Sequence, residues 1–254
     1  MYFSRAFQYR GEMVAWIVAD IIKIVGLSFI WMTSAKINGN VGQGYVVTYY
    51  ILLMLVSKLT SDYTVEHGVR NILTGRFSNF LLKPYNYLLE YLGINVGGNI
   101  LRVVLFLPAF IFGLLFSLHA ELWIIDSNIF SILLGFVAIC IGFMISFLIG
   151  NIISLIAIRV KEMDSIRIFF YNIASLLSGE FIPIVFLSGV INKIVKLLPF
   201  RYTLSFPVEI FIGDMTTRDV LLGFSVGMVW LIVLYFAYKL IYKKMIKQYE
   251  AEGI

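Results

Sequence analysis

Six apolar runs, near 13–35, 44–60, 100–118, 129–157, 166–187 and 219–241, constrain this chain more than any other feature. A helix needs about 20 residues to cross a hydrocarbon core ~30 Å thick, and each run has roughly that length. The runs are continuously apolar rather than alternating in segments of about ten, so they read as helices and not as the strands of an outer-membrane barrel. Little polar material remains between them: 60% of the residues are hydrophobic and only 14% are charged, where a soluble domain carries about 25%. The expected architecture is a single all-α integral membrane domain over 1–254 with six transmembrane helices.

The first run is longer than the core of a signal peptide, carries Asp20 and Lys23 and has no small-residue cleavage pattern after it, so it is expected to be retained. Orientation follows from Lys and Arg outside the runs. Fourteen fall on one side, in the segment before the first run, at 58–102, at 159–167 and after 238; five (Lys36, Lys193, Lys196, Arg201 and Arg218) fall on the other. The positive-inside rule then places both ends and the 61–99 segment in the cytoplasm, with the cell membrane as the location. The net charge of +5 reflects topology and contact with anionic lipid rather than nucleic-acid binding.

Three segments outside the spans carry information. At 1–12, Phe3, Ala6 and Phe7 share a helical face with Arg5 and Arg10 beside them, the pattern of an interfacial helix. The insert at 61–99 holds an amphipathic helix whose apolar stripe is Val69, Ile72, Leu73, Phe77, Phe80 and Leu81. In an unbroken helix Arg76 would fall within that stripe, so a break is expected at Gly75 and a stop at Pro84. The stripe itself is expected to rest against membrane or a partner. The segment 178–214 is strongly apolar yet interrupted by Gly179, Pro183, Gly189, Pro199, Pro207 and Gly213. Two or three short helices that dip into the outer leaflet fit it better than one straight helix.

Chemistry-bearing residues are few. No phosphate-binding loop, no His-Glu-x-x-His and no Cys-x-x-Cys occurs, and His67 and His119 are expected on opposite sides of the membrane. Neither a catalytic nor a metal site is expected. Asp20 and Lys23 each cost about 2.5–3.5 kcal/mol at a span centre, so they are expected to pair with each other one turn apart or to face the protein interior. Either a structural or a substrate-related role fits them. Glu180, beside the break at Gly179 and Pro183, fits both a polar path and a carboxylate wetted at the outer interface. Asn151 and Ser154 are expected to make interhelical hydrogen bonds.

The order of these features resembles ABC-2 type transporter permeases. "ILTGRFSNFLLKPYN" is similar to that family's Gly followed by Leu-Leu-basic-Pro, here Gly75, Leu81, Leu82, Lys83 and Pro84. "LLSGEFIPIVFLSG" and "LPFRYTLSFPVEIFIG" are similar to its Ser-Gly, Ile-Pro and Leu-Pro-Phe landmarks: Ser178, Gly179, Ile182, Pro183, Leu198, Pro199 and Phe200. The resemblance implies a bacterial exporter permease with no cofactor of its own, ATP and Mg being held by a separate ABC ATPase subunit in two copies. A second permease, identical or paralogous, is also implied. The coupling segment carried over by position includes Asn71, Ile72, Gly75, Arg76, Phe77, Phe80, Leu81, Leu82, Lys83 and Pro84, with a second contact at Lys161, Glu162 and Asp164. Asp20, Lys23, Asn151, Ser178, Glu180, Pro183 and Phe186 are the candidate path or gate residues. The cargo class suggested is hydrophobic or amphipathic: a drug, antimicrobial peptide, lipid or glycan. The competing expectations are a secondary transporter or channel and a non-transporting membrane scaffold.

Overall fold

The computed structural model of the chain describes residues 10–38, 41–82, 87–126, 128–160 and 162–249. Among these, all regular structure is helical: α1 (Arg10–Asn38), α2 (Gln43–Thr60), α3 (Thr64–Leu73), α4 (Phe77–Leu81), α5 (Tyr87–His119), α6 (Ile129–Ile156), α7 (Asp164–Leu177), a 3-10 turn (Ile184–Phe186), α8 (Gly189–Leu197), α9 (Pro199–Thr203), α10 (Ser205–Ile212) and α11 (Thr217–Ile246). The interfacial helix expected around Phe3, Ala6 and Phe7 lies outside the described residues, as do Lys83, Pro84 and Lys161.

Among the described residues, five helical stretches are long and apolar enough to cross a membrane: Ile17–Ile37, Gln43–Leu73, Tyr87–His119, Ile129–Ile156 and Thr217–Ile246. The continuous span expected at 166–187 is corrected. Its helix, α7, has 14 residues and ends at Leu177, a rise of about 21 Å that cannot cross a ~30 Å core unaided. Gly179 explains the stop: its φ is +88°, a left-handed conformation costly for any residue with a Cβ. A Cβ there would also stand 2.5 Å from the Tyr49 hydroxyl, which donates a 2.8 Å hydrogen bond to the Gly179 carbonyl.

The insert expected over 61–99 is shorter than the sequence pattern suggests. Residues from Tyr87 onward belong to α5, whose 33 residues extend about 50 Å. Within the insert the expected break is present: α3 ends at Leu73, Gly75 takes φ +71° and α4 starts at Phe77. The turn rotates Arg76 out to solvent.

The most apolar helix, α6, occupies the centre and touches α2, α3, α9, α10 and α11. Three buried clusters form around it. One joins α1 and α2 to α6 and α10 through Tyr45, Tyr49, Tyr50, Ile139 and Val208. A second packs Ala138, Ile145, Tyr202, Phe206 and Ile210 between α6, α9 and α10. The third lies at the α3 end of the bundle and joins Val65, Ile72, Phe77, Tyr87, Tyr91, Leu155 and Tyr238.

The punctuated segment folds as its glycines and prolines suggest. Pro199 opens α9 and Gly213, at φ +80°, closes α10, the positions that a missing N–H and a missing Cβ favour. All eight residues of α10 are buried. Arg201 and Glu209, which bring charge into this interior, form a 2.6 Å ion pair, and the guanidinium lies 5.3 Å from the Phe206 ring centroid.

Candidate functional site

Charged residues from distant parts of the chain converge on a cavity of about 620 Å³ between α1, α2, α5, α6, α7 and α9. Asp20, Lys58, Asp62, Glu66, Arg102 and Glu180 line it together with Tyr63, Phe106, Phe170 and Phe200. Lys58 pairs with Asp20 at 2.5 Å, and its ammonium sits 4.1 Å from the Phe106 ring centroid. Lys23 pairs with Glu180. The Arg102 guanidinium stacks 3.3 Å from the centroid of Tyr63. Charges and aromatic faces are thus interleaved around one space.

This arrangement corrects the first alternative for Asp20 and Lys23, a mutual pair, and fits the second, a turn toward the protein interior. A bond between those two would leave Lys58 and Glu180 as uncompensated charges in a low-dielectric interior, which costs several kcal/mol per ion. Pairing each with a partner on another element neutralises all four. Glu180 is likewise not a carboxylate wetted at a surface: its side chain is 20% exposed and faces the cavity. Of the other expected path residues, Ser178 is buried, and its carbonyl accepts the Ser205 N–H at 3.2 Å. Pro183 is buried beside the 3-10 turn. Phe186 packs on Trp31 with ring centroids 4.7 Å apart. Asn151 donates to Phe147 O of its own helix at 2.7 Å rather than across helices as expected, whereas Ser154 donates to Asn151 O at 2.9 Å and also meets the Tyr87 hydroxyl of α5 across the helix interface. None of these five lines the cavity.

The α3–α4 unit adjoins the cavity directly, because Asp62 and Tyr63, which line it, immediately precede α3. Asp62 caps that helix: its Oδ1 accepts Thr64 N–H at 3.1 Å and the Thr64 hydroxyl at 2.5 Å. Asn71 donates to the Tyr91 hydroxyl at 2.8 Å. Ile72 is buried, and Phe77 is completely so, edge-on to Tyr87 at 5.2 Å and Tyr249 at 5.0 Å. Phe80 contacts Tyr87 and Tyr91. The centre of the apolar stripe therefore rests on the chain's own helices, not on membrane or partner as expected. What it leaves outward is Leu73, Arg76, Leu81 and Leu82, the last 84% exposed. At the second expected contact Glu162 is exposed, and Asp164 pairs with Arg167 at 3.1 Å across the first turn of α7.

Residues absent from the expected site hold these two regions together. On α5, Tyr87, Tyr91, Asn95 and Asn99 recur every fourth residue and are all buried. Asn95 accepts the Tyr63 N–H at 2.6 Å and donates to the Thr64 hydroxyl at 3.0 Å. Asn99 donates to the carbonyls of Leu59 and Ser61 at 2.9 and 3.0 Å. Polar side chains at i, i+4, i+8 and i+12 in an apolar helix were the available signal. Another spelling has no such role: Gly223-Phe-Ser-Val-Gly227 matches the Gly-x-Ser-x-Gly of hydrolases. It lies inside α11, however, with Ser225 exposed and donating to Leu221 O at 2.9 Å, whereas a nucleophile elbow needs a strand-to-helix turn.

At the opposite end of the bundle Asp126 ties the α5–α6 connection. Its carboxylate accepts from the Ser131 hydroxyl and from Asn128 N–H at 3.0 Å. These bonds hold its pKa below the usual carboxylate range.

The family described as ABC-2 family transporter protein matches the chain over residues 3–253. No curated protein and no solved structure matches it.

Proposed function

Since the chain belongs to the ABC-2 family of transporter proteins and is the membrane permease of an ABC-type system that works with an ABC ATPase subunit, we propose that it exports an amphipathic cargo through the charged cavity, driven from the α3–α4 unit. The observation that carries this reading is the shared boundary: Asp62 and Tyr63, immediately before α3, and Glu66 in its first turn all belong to the cavity wall. A push on α3 therefore displaces the wall. The cavity's mixture of ion pairs and aromatic faces suits a cargo with a polar head and an apolar body better than a purely hydrophilic one.

In this reading two ATPase subunits hold ATP and Mg, close on ATP binding and press on α3–α4 of two permeases, which are identical or paralogous. The exposed Leu73, Leu81 and Leu82, with Arg76 beside them, are the contact. Glu162 and Asp164 form a smaller one. Both ends of the chain face the cytoplasm of a bacterial cell. The segment after α7 completes a fifth crossing of six, and α8 to α10 form an outer gate. Rocking of α3 with the α2–α3 turn then opens the cavity alternately to each side.

The test is copurification in detergent. Substituting Leu81→Glu and Leu82→Glu together is expected to abolish ATPase binding while leaving insertion and thermal stability unchanged, since both side chains point outward. Undiminished ATPase recovery would overturn the assignment of this face.

A further inference from the structure

The two residues just past the end of α11 reach both candidate ATPase contacts at once. Gln248 and Tyr249 continue the helical path through N–H bonds to Met245 O (2.9 Å) and Ile246 O (3.3 Å). The Tyr249 hydroxyl donates to the Gly75 carbonyl at 3.1 Å, and its ring packs edge-on against Phe77 at 5.0 Å. One residue earlier, the Gln248 side-chain carbonyl accepts Arg159 Nε–H at 2.6 Å. Gly75 and Arg159 lie in separate connections, one between α3 and α4 and the other between α6 and α7. Two adjacent residues just beyond a third helix bridge them.

The need for such a bridge follows from helix physics. With only five residues, α4 is far below the ~12–15 at which a helix is even marginally stable alone, and the left-handed Gly75 before it provides a pivot. The Gly75 carbonyl gathers what fixes that pivot, accepting Ser78 N–H at 3.3 Å, the Ser78 hydroxyl at 2.7 Å and the Tyr249 hydroxyl. Below Tyr249, α11 is itself anchored: Tyr238 is buried, and Tyr242 stacks on Tyr87 at 6.1 Å. The end of α11 thus stands beside two connections that also share the apolar core around Phe77, Ala157 and Met163.

We infer that Gln248 and Tyr249 are positioning residues that lock the α3–α4 turn and the α6–α7 connection into one body, so that both ATPase contacts move together. The functional half of this inference rests on the proposed exporter reading; the mechanical half does not.

Amide hydrogen exchange on the full chain in detergent separates the two halves. Gln248→Ala removes the bond to Arg159, and it is expected to speed exchange at 74–82 by at least ~3-fold. Tyr249→Ala is expected to speed exchange at 157–163 by a similar factor, besides a larger change, about 10-fold or more, at 74–82. Tyr249→Phe keeps the ring on Phe77 and is expected to restore most of the protection. Changes confined to the segment each residue touches would overturn the inference, because the shared apolar core, and not these two residues, would then be the link. In the copurified complex, Tyr249→Ala is expected to retain the ATPase subunit but reduce its turnover; retention at wild-type turnover would overturn the functional half. If the wild-type chain brings down no ATPase at all, the exporter reading fails, and the exchange experiment still decides whether the two connections are locked.

Discussion

Helices α1 and α2 cross the same depth of the bundle side by side, yet they are held in opposite ways. In α2, 67% of the spanning window is buried, with three tyrosines and several aliphatic residues packed against α6 and α10; in α1 none of the window is. The inner face of α1 is attached by the Asp20–Lys58 and Lys23–Glu180 pairs, by the Trp31 indole donating to Phe181 O at 2.8 Å, and by partly buried Ile24, Leu27 and Met32. Apolar packing is short-ranged and tolerates little separation, whereas ion pairs beside a cavity can exchange partners with water or with a cargo. In the proposed export reading, the α2–α3 arm transmits displacement and α1 forms a wall that parts.

Disrupting the packed arm is expected to have the largest effect. Phe77→Ala empties a completely buried site between α4, α5 and Tyr249 and is expected to cost about 3–5 kcal/mol, seen as a lowered unfolding midpoint together with loss of ATPase recovery. The equivalent deletion on an outward face, Phe112→Ala, at a residue 74% exposed, is expected to leave the midpoint within about 0.5 kcal/mol. Equal losses at both positions would remove the contrast.

The ion-paired wall comes next. Glu180→Gln leaves Lys23 without its partner; since these side chains are 20% and 35% exposed, the loss is expected to be about 1–2 kcal/mol rather than the full cost of a buried break. The double change Lys23→Met with Glu180→Gln is expected to recover most of it, and a double-mutant cycle on thermal stability measures the coupling. Strict additivity would show that the pair does not hold α1. At the elbow between wall and arm, Asn99→Ala removes two bonds to the carbonyls of Leu59 and Ser61, with an expected cost of about 1–2 kcal/mol. Its sharper signature is a reduced ATPase response with normal ATPase recovery.

The smallest effect belongs to the far end. Asp126 has a lowered pKa in the folded chain, so its contribution to stability is present above the usual carboxylate range and disappears as pH falls through the folded value. Because the group is only partly buried, Asp126→Asn is expected to flatten only slightly the acid side of a stability-against-pH curve and to leave ATPase recovery unchanged. A large loss of ATPase recovery would mean that the two ends of the bundle are coupled through this connection.

The break at Gly75 was legible in advance because the problem it solves is local: a charge in an apolar stripe and a residue without a Cβ sit side by side. The breaks at Pro199 and Gly213 were legible for the same reason. The partners of Asp20 and Lys23 were not. They lie 38 and 157 residues away, and nothing in either neighbourhood indicates which helix will pass. The direction of the α3–α4 stripe was hidden too, because periodicity reveals that a face is apolar but not what covers it. Tyr87 and Tyr91 cover it here, from a stretch that hydropathy placed in the insert over 61–99 and not in a span.

Composition, run length and turn residues were sufficient to determine an all-helical membrane chain, the broken α3–α4 segment and a punctuated stretch after α7. Each depends on the free energy of a short segment in apolar surroundings, to which distant residues contribute little. The shortened α7, the two crossed ion pairs, the asparagine-held elbow and the bridge at Gln248 and Tyr249 were decided by tertiary structure alone. Each depends on which surfaces meet, and the choice among electrostatic and hydrogen-bonding partners is made only when packing brings them within about 3 Å of each other.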